Sequence, residues 1–537
     1  MQVCAFLIFI MNFPIKQFLC IAAFFLWTAT SFAFEHIGST VNFFEYEPKV
    51  IQKNLHRQKP FFLLFSAQWC HWCHVFNERT LKNERVYTYL NENFVNIFID
   101  ADINSTAYQK YKAKGVPYTV FLNPDTSIYF QYSGTLYAEP FLEIIQDVVQ
   151  NVKKGLTVNR EEREPFEYAP PVQLNKNTLA GFRRIFLRGV LDNFDSEEYG
   201  VGNKEKTILP ETFLYLLKTA EAQDRKDAVL WISETLLKAI KKIYDPVEGG
   251  FFRFAETSDW QVPHYEKMAG LNAGTALLLY KVNQEKSNPE LKKAADQTIE
   301  YLSKTLYNTE IGSFLSFQQA DTSYYFLKKH RRLNVDPPLV IKKIFTDNLA
   351  VTLNYLLEAL NYTTNKSLKK KVISSLDFLT EMILNNEGVS HYYSIPTQEW
   401  RAKSTLPDYA FLAKLFQRAA AEYQSERYRQ AASKILRISM REYFDEEKQI
   451  FIDPALDVND YEYLMEMNGG FALGFMGQGI KYTRQKNDPV KPLIRYFSGL
   501  EVLLKDRLWD GKDWEFLEAY AAYLTAADQF LATETNP

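Results

Sequence analysis

Hydrophobic residues are spaced in two different ways along the chain, and the change falls near residue 173. Between residues 34 and 155, short apolar runs alternate with amphipathic stretches. The runs Phe61–Phe65, Phe94–Asp100 and Tyr118–Leu122 predict buried strands, whereas Glu139–Lys153 has helical periodicity. This alternation predicts a small α/β domain over residues 34–155.

From residue 173 to residue 537, helical periodicity dominates and a turn-like sequence recurs between the helices. Copies begin near residues 193, 243, 306, 384, 443 and 508. After most copies a helix should start, because proline or acidic residues there are ordinary start signals. The expected starts are Pro210-Glu211, Pro263-His264, Thr346-Asp347, Pro407-Asp408 and Asn468-Gly469. Six two-helix units predict an all-α (α/α)6 toroid whose inner helices begin on one rim.

Two further segments have compositions of their own. In residues 1–33, the apolar run Phe18–Trp27 and the small residues Ser31 and Ala33 predict a signal peptide, with Phe34 beginning the mature chain. An uncleaved anchor is the alternative, although the run is short for a membrane span. Residues 156–172 are charged and then proline-rich, which predicts a linker. A periplasmic or secreted protein, with no stable membrane span after cleavage, is expected.

The overall charge gives no support for nucleic acid as a partner. Lys and Arg total 62 against 65 Asp and Glu, which leaves a net charge of -3. Nothing in this balance favours nucleic acid binding. The length of 537 residues and the hydrophobic share of 47% instead predict at least two well-buried domains.

The cysteines point to one local site. Of four cysteines, Cys4 and Cys20 leave with the predicted signal peptide, so only Cys70 and Cys73 remain. Two cysteines this close cannot connect distant parts of a fold, and their pairing is a local redox event. A redox dithiol is favoured over a haem attachment site using His74, a zinc site and an inert disulfide. No cofactor and no metal are expected.

The residues around the CxxC have chemistry that suits exchange. Cys70 should stand at a helix N-terminus, where amide groups lower a thiol pKa and make it nucleophilic, and Cys73 should resolve the mixed disulfide. Trp69 and Trp72 would shield the pair and offer an apolar contact to a partner. His71, when protonated, would stabilise the thiolate. Many redox dithiol proteins have a buried acid six residues before the first cysteine, where it helps to deprotonate the second cysteine. Here Leu64 occupies that position.

Several motifs together resemble a known family. They are Cys-His-Trp-Cys-His-Val at 70–75, Asn-Glu-Asn-Phe-Val at 91–95, Val-Pro-His-Tyr-Glu-Lys-Met at 262–268 and Asp-Tyr-Ala-Phe-Leu at 408–412. The chain resembles the spermatogenesis-associated thioredoxin-domain proteins, in which a thioredoxin-like domain precedes a six-hairpin-glycosidase-like toroid. The first domain is also similar to periplasmic thiol:disulfide interchange domains. The resemblance implies that Pro117 is the family's cis-proline beside the cysteine pair.

The expected toroid rim carries candidate binding or catalytic side chains. His264 and Glu266 are acid–base candidates, with Asp408 opposite them and Asp347 a further candidate on the rim. Toroid glycosidases use paired carboxylates, and related epimerases use histidines. A helix N-terminus there would lower the pKa of both His264 and Glu266. The alternative is that these acids only cap helices.

These observations predict an exported thiol:disulfide oxidoreductase that acts on a thiol or disulfide protein partner. The toroid would bind that partner, or a glycan or peptide. The alternative function is a carbohydrate-active or carbohydrate-binding toroid with an accessory thioredoxin-like domain.

Overall fold

A computed structural model describes residues 38–47, 49–155, 175–219, 222–448, 450–456, 461–477 and 514–534. The predicted signal peptide and the whole of the predicted linker lie outside these residues. By their internal contacts, the described residues form two compact units. The first contains 38–68, 72–101 and 113–155, and the second contains 69–71, 102–112 and everything from 175 onwards.

The first unit is built on a five-stranded mixed sheet with strand order β1-β3-β2-β4-β5. The strands are β1 (Phe43–Glu45), β2 (Phe61–Ser66), β3 (Val95–Asp100), β4 (Tyr118–Leu122) and β5 (Ile128–Ser133). Strand β3 runs parallel to β1 and β2, whereas β4 is antiparallel to β2 and β5. Helices of this part of the chain are Val50–Asn54, His71–Phe76, Glu84–Asn93, Ser105–Lys110 and Ala138–Lys153.

Burial explains why the central strands read as continuous apolar runs. Every residue of β2, β3 and β4 is buried, as is typical of strands covered on both faces. The helix Ala138–Lys153 packs its apolar side onto one face, where Phe141 contacts the rings of Phe62 and Phe121. The predicted α/β order is therefore confirmed, although β1 and the short helix Ser105–Lys110 were not predicted.

The second unit is a closed ring of six inner helices, each in contact with the next and the last with the first. We number these inner helices 1 to 6 in chain order. They are Pro210–Thr219, Ala269–Glu285, Thr346–Ala359, Leu406–Tyr423, Tyr461–Gly477 and Trp514–Glu534. Inner helix 2 is buried almost all round, as a helix enclosed by others must be.

Outer helices alternate with the inner ones along the chain, which gives the predicted (α/α)6 order. They are Lys176–Asp192, Ala222–Lys242, Pro289–Lys304, Lys366–Asn385 and Glu426–Glu442, and residues 478–513 lie outside the described part. Two four-residue helices, Thr322–Tyr325 and Lys329–Arg332, precede inner helix 3. Short strands accompany the connections: Phe254–Ala255, Pro263–His264, Lys267–Met268, Tyr307–Asn308, Ser313–Phe314, Phe317–Gln318, Lys343–Phe345, Ser390–Ser394, Glu399–Lys403, Phe444–Asp445 and Ile450–Phe451.

A buried ion pair anchors the repeated turn and explains part of the Val-Pro-His-Tyr-Glu-Lys-Met motif. Lys267 is fully buried, and its Nζ donates to Asp245 Oδ2 at 2.9 Å and to the Gly249 carbonyl at 2.8 Å. The preceding repeat uses the same arrangement, with Lys206 Nζ at 2.9 Å from Asp195 Oδ2. Since a buried ammonium needs a partner, this lysine has a structural role.

Two of the five expected helix starts are wrong. Pro263-His264 forms a short strand, and inner helix 2 begins only at Ala269, so no helix start lies under His264. Asn468 lies inside inner helix 5, where its side chain bonds both the N–H and the carbonyl of Phe451. A polar residue that satisfies backbone groups of a neighbouring hairpin resembles a helix cap in sequence.

Among the described helices, we find none that is both long and apolar enough to cross a membrane.

Candidate functional site

The two cysteines of the CxxC form a disulfide at the start of a helix. Cys70 directly precedes the helix His71–Phe76, which continues as a π-helical turn, Asn77–Leu81. Strand β2 ends at Ser66 and delivers the chain to this turn. Cys70 is 2% exposed and Cys73 is 4% exposed, so the disulfide itself is shielded from solvent.

The residues predicted to support the disulfide have different surroundings. Trp69 is buried, whereas Trp72 is 37% exposed and offers an apolar surface. The Val116–Pro117 peptide bond is cis, and it leads into β4. Tyr118, the first residue of β4, is paired with Phe65 near the end of β2. Pro117 therefore lies at the same edge of the sheet as the end of β2, from which the chain continues to Cys70. Leu64 is buried within β2.

His74 is engaged in a way that weakens the haem interpretation. Its Nε2 lies 3.1 Å from the carbonyl oxygen of Gln68, which can only accept a hydrogen bond. That nitrogen is therefore the donor and has no lone pair to offer an iron. An axial haem ligand uses a free imidazole nitrogen.

Within the second unit, Trp69 is held from several sides. Its indole Nε1 donates to Asp102 Oδ2 at 2.9 Å. The guanidinium carbon of Arg253 lies 4.8 Å from the centre of the Trp69 ring, at a distance that permits a cation–π contact. The ring of Phe317 lies 6.0 Å away. The residue directly before Cys70 is thus fixed by polar and aromatic contacts.

The structure brings Asp347 and Asp408 together around His391, which was not predicted as a site residue from the sequence. His391 Nδ1 lies 2.8 Å from Asp408 Oδ2, and both side chains are buried. Burial alone would lower the pKa of His391, but the Asp408 charge outweighs it and raises the pKa to about 10. Burial and the Asp408 charge also raise the pKa of Asp347. His391 is therefore an imidazolium at neutral pH.

These three side chains are close enough to hold a metal ion, with ligand atoms within 4.8 Å of one another. Their hydrogen bonds argue against it. His391 Nε2 donates to the Asp102 carbonyl at 2.6 Å, and Nδ1 faces Asp408, so neither nitrogen has a free lone pair. Asp408 also accepts from the N–H of Asp347 and from the N–H and hydroxyl of Thr405. Metal ligation needs a neutral imidazole, which the raised pKa of His391 opposes.

Asp408 also caps a helix, as the alternative interpretation of the rim acids predicted. Thr405 and Asp408 form a capping box at the start of inner helix 4, and Asp408 accepts the Thr405 N–H at 2.7 Å. Asp347 occupies the first turn of inner helix 3. Both acids therefore stabilise helix N-termini as well as the charge of His391.

His264 and Glu266 form a separate group with Glu256. His264 Nε2 lies 2.6 Å from Glu256 Oε1, and Nδ1 lies 3.8 Å from Glu266 Oε1. Burial opposes a charged ring, but the two carboxylates outweigh it and raise the pKa of His264 above its usual value. The expected lowering of the His264 pKa by a helix N-terminus is therefore wrong. Glu266 is 2% exposed, and its Oε2 has no hydrogen-bond partner.

The interior of the ring contains a polar cluster that was not predicted from the sequence. Glu211 Oε1, on inner helix 1, accepts from Tyr355 at 3.0 Å and from Lys414 at 3.1 Å. Inner helix 4, which carries Lys414, lies opposite inner helix 1 in the ring order. The ion pair therefore crosses the ring. Glu211 is 20% exposed and Lys414 is 25% exposed, so the cluster is partly open.

Glu518 joins this cluster from inner helix 6. Its two oxygens accept the N–H groups of Glu211 at 3.1 Å and Thr212 at 2.9 Å. Burial raises the pKa of Glu518 to about 8, helped by the Glu211 charge and opposed by the two backbone hydrogen bonds. At neutral pH, Glu518 is therefore mostly protonated beside Glu211, whose carboxylate pairs with Lys414.

Comparison with known sequences follows the same two-part division. Residues 26–167 match the family model Thioredox_DsbH, described as a protein of unknown function, DUF255. Spermatogenesis-associated protein 20 of Rattus norvegicus is 26% identical over 322 residues, covering 54% of this chain and 40% of that protein. The chain resembles the spermatogenesis-associated thioredoxin-domain proteins. An uncharacterized protein of Caenorhabditis elegans is 25% identical over 318 residues, covering 54% of this chain and 42% of that protein.

These matches span about two-fifths of the length of the curated relatives. Among solved structures, D-mannose isomerase has a TM-score of 0.51 at 10% identity and covers 68% of this chain and 100% of its own. The likeness at this identity shows the fold alone. The predicted fold class, a thioredoxin-like α/β domain followed by a six-hairpin-glycosidase-like toroid, is confirmed.

Proposed function

We propose that this chain is an exported thiol:disulfide oxidoreductase whose Cys70–Cys73 pair exchanges with a protein partner. The observation that carries the proposal is the disulfide at the start of a helix, in a chain whose other cysteines lie in the predicted signal peptide. The cis Val116–Pro117 bond at the neighbouring strand end is a further feature in its favour. The toroid would select the partner.

The exchange consists of two balanced displacements. A partner thiolate attacks Cys70 Sγ, forms a mixed disulfide and expels Cys73 as a thiolate, which takes the bonding electron pair. A second partner thiolate then displaces Cys70, which leaves an oxidised partner and a reduced Cys70–Cys73 pair. The reverse sequence reduces a partner disulfide. The positive end of the helix dipole at this helix start would stabilise the Cys70 thiolate in both directions.

A thiol count tests this chemistry against its alternatives. After reduction the purified protein should be colourless and show two titratable thiols, and both should disappear on oxidation by oxidised glutathione. The double variant Cys70→Ser/Cys73→Ser is the control and should show none. A haem absorption band, or one zinc bound per chain through the cysteines, would contradict the proposal.

Export is part of the proposal and has its own test. The apolar run and small residues before Phe34 support cleavage after Ala33. N-terminal sequencing of the protein from the periplasm or the medium should therefore begin at Phe34. A chain that retains Lys16 would contradict cleavage.

A second candidate function is binding or processing of a carbohydrate inside the ring. The partly open cluster favours it, because a protonated Glu518 beside a carboxylate paired with Lys414 is an acid–base arrangement. Two carboxyl groups in different protonation states are what glycoside chemistry needs. The likeness to D-mannose isomerase supports only the choice of that sugar as the first probe.

Two substitutions test the ring cluster. If it binds sugar, Glu211→Gln should weaken D-mannose or disaccharide binding at least about tenfold, because a charged hydrogen bond is lost. Glu518→Gln, which mimics the protonated acid, should preserve binding but abolish turnover. Calorimetry and product analysis on the same protein distinguish these effects. Failure of the wild type to bind any sugar, with both variants less stable than wild type, would assign the cluster a structural role only.

A further inference from the structure

We infer that His391, held by Asp408, is a positioning residue for disulfide exchange, and that it sets the redox equilibrium of Cys70 through Asp102 and Trp69. The inference rests on the proposed exchange reaction and adds a residue from the helical part of the chain to it. His391, Asp408, Asp102, Trp69 and Cys70 all belong to the second unit.

The first link joins inner helix 4 to His391. Asp408 is fully buried in the capping box of that helix, where the Thr405 N–H and hydroxyl bond it at 2.7 and 3.0 Å. His391 Nδ1 donates to the same oxygen at 2.8 Å. Both side chains are buried and the His391 ring carries a charge, so this hydrogen bond is charge-assisted and geometrically restrictive.

The second link joins His391 to the segment that follows β3. His391 Nε2 donates to the carbonyl oxygen of Asp102 at 2.6 Å. With both ring nitrogens engaged, the imidazole has one orientation, and it holds the Asp102 backbone in place. Phe345 packs against the ring of His391 at 5.6 Å between centroids, which further limits its rotation.

The third link joins Asp102 to the residue before Cys70. Trp69 Nε1 donates to Asp102 Oδ2 at 2.9 Å. Since Trp69 is buried, losing this acceptor would leave an unpaired indole N–H. The peptide that carries Cys70 is thereby fixed by a continuous series of hydrogen bonds that begins at Thr405. If Cys70 takes different positions in the oxidised and reduced protein, this restraint stabilises one of the two states more than the other. It thereby shifts the redox equilibrium of the cysteine pair.

Two substitutions at one position separate this role from general stability. His391→Asn keeps a donor near the Nδ1 position and loses the bond to Asp102, whereas His391→Gln keeps a donor near the Nε2 position. We expect His391→Asn to shift the glutathione equilibrium of the Cys70–Cys73 pair by about threefold to tenfold, the effect of one lost hydrogen bond. His391→Gln should remain within about twofold of wild type. Tyr280→Phe, which removes a bond to Asp296 on an outer helix, should change nothing.

Trp69→Phe tests whether the effect passes through the indole. If it does, His391→Asn should have little further effect in the Trp69→Phe background, because the two changes act on one series of contacts. Equal equilibrium constants for wild type and His391→Asn, at any melting temperature, would overturn the inference. Additive effects of the two changes would also overturn it. If wild type does not exchange with glutathione at all, the proposed function fails instead.

Discussion

Replacing Cys70 by serine is expected to abolish thiol:disulfide exchange, with a loss of at least about a thousandfold in rate. Cys70 precedes the helix start, and its sulfur is the atom that a partner thiolate is proposed to attack. A hydroxyl group cannot form the mixed disulfide, and the two other cysteines besides Cys73 lie in the predicted signal peptide. The measurement is the rate at which the protein reduces a glutathionylated peptide, monitored by a change in the fluorescence of that peptide.

Cys73→Ser is the matched variant, since it removes the second sulfur and keeps the first. It should react once at Cys70 and stop as a stable mixed disulfide, because no internal thiol resolves it. Intact mass should increase by one glutathione. Turnover by Cys70→Ser, or absence of an adduct on Cys73→Ser, would contradict the assigned order of the two cysteines.

The buried His391–Asp408 pair is expected to give the second large effect, which is a loss of stability at high pH. The folded-state pKa of His391 is about 10, above the usual value of 6.5. Its contribution is therefore complete below about pH 6.5 and is lost as the pH rises through about 10. Asp408→Asn removes the partner charge and should lower the free energy of unfolding by about 3–5 kcal/mol at pH 6.

Because other groups titrate near pH 10, the diagnostic quantity is the difference between two stability curves. Wild type and Asp408→Asn should differ most near pH 6 and converge towards pH 10, in urea unfolding followed by circular dichroism. Glu399→Gln, which alters an exposed pair with Arg401, is a control and should give a curve parallel to wild type. A constant difference between wild type and Asp408→Asn from pH 6 to 10 would contradict a charged His391.

Local patterns in the sequence predicted the fold well. The apolar runs of β2 to β4 are long enough to identify buried strands, and Pro210, Asp347 and Asp408 correctly mark helix starts. These features depend on neighbours within a few residues, so periodicity and start signals report them. The repeated turns correctly indicated an alternation of inner and outer helices.

The candidate sites were harder to predict because their partners are distant in sequence. His391 lies in the strand Ser390–Ser394, and nothing in that strand distinguishes a charged buried histidine from an exposed one. Glu518 and Lys414 reach Glu211 only after the ring closes. Pro263-His264 was predicted to start a helix because proline is common at the first helical position. A proline followed by polar residues is also compatible with a short strand at a turn, which is what forms here.

The central claim, that Cys70 and Cys73 form an exchanging dithiol, is tested most directly by redox titration of the wild-type protein in glutathione buffers. Intact mass after acid quenching and alkylation counts the thiols at each ratio of reduced to oxidised glutathione. The account predicts one two-electron transition in which both cysteines change together, reached from either the oxidised or the reduced protein. A disulfide that stays closed at every ratio, in folded protein, would contradict the claim and leave Cys70–Cys73 as a structural bond.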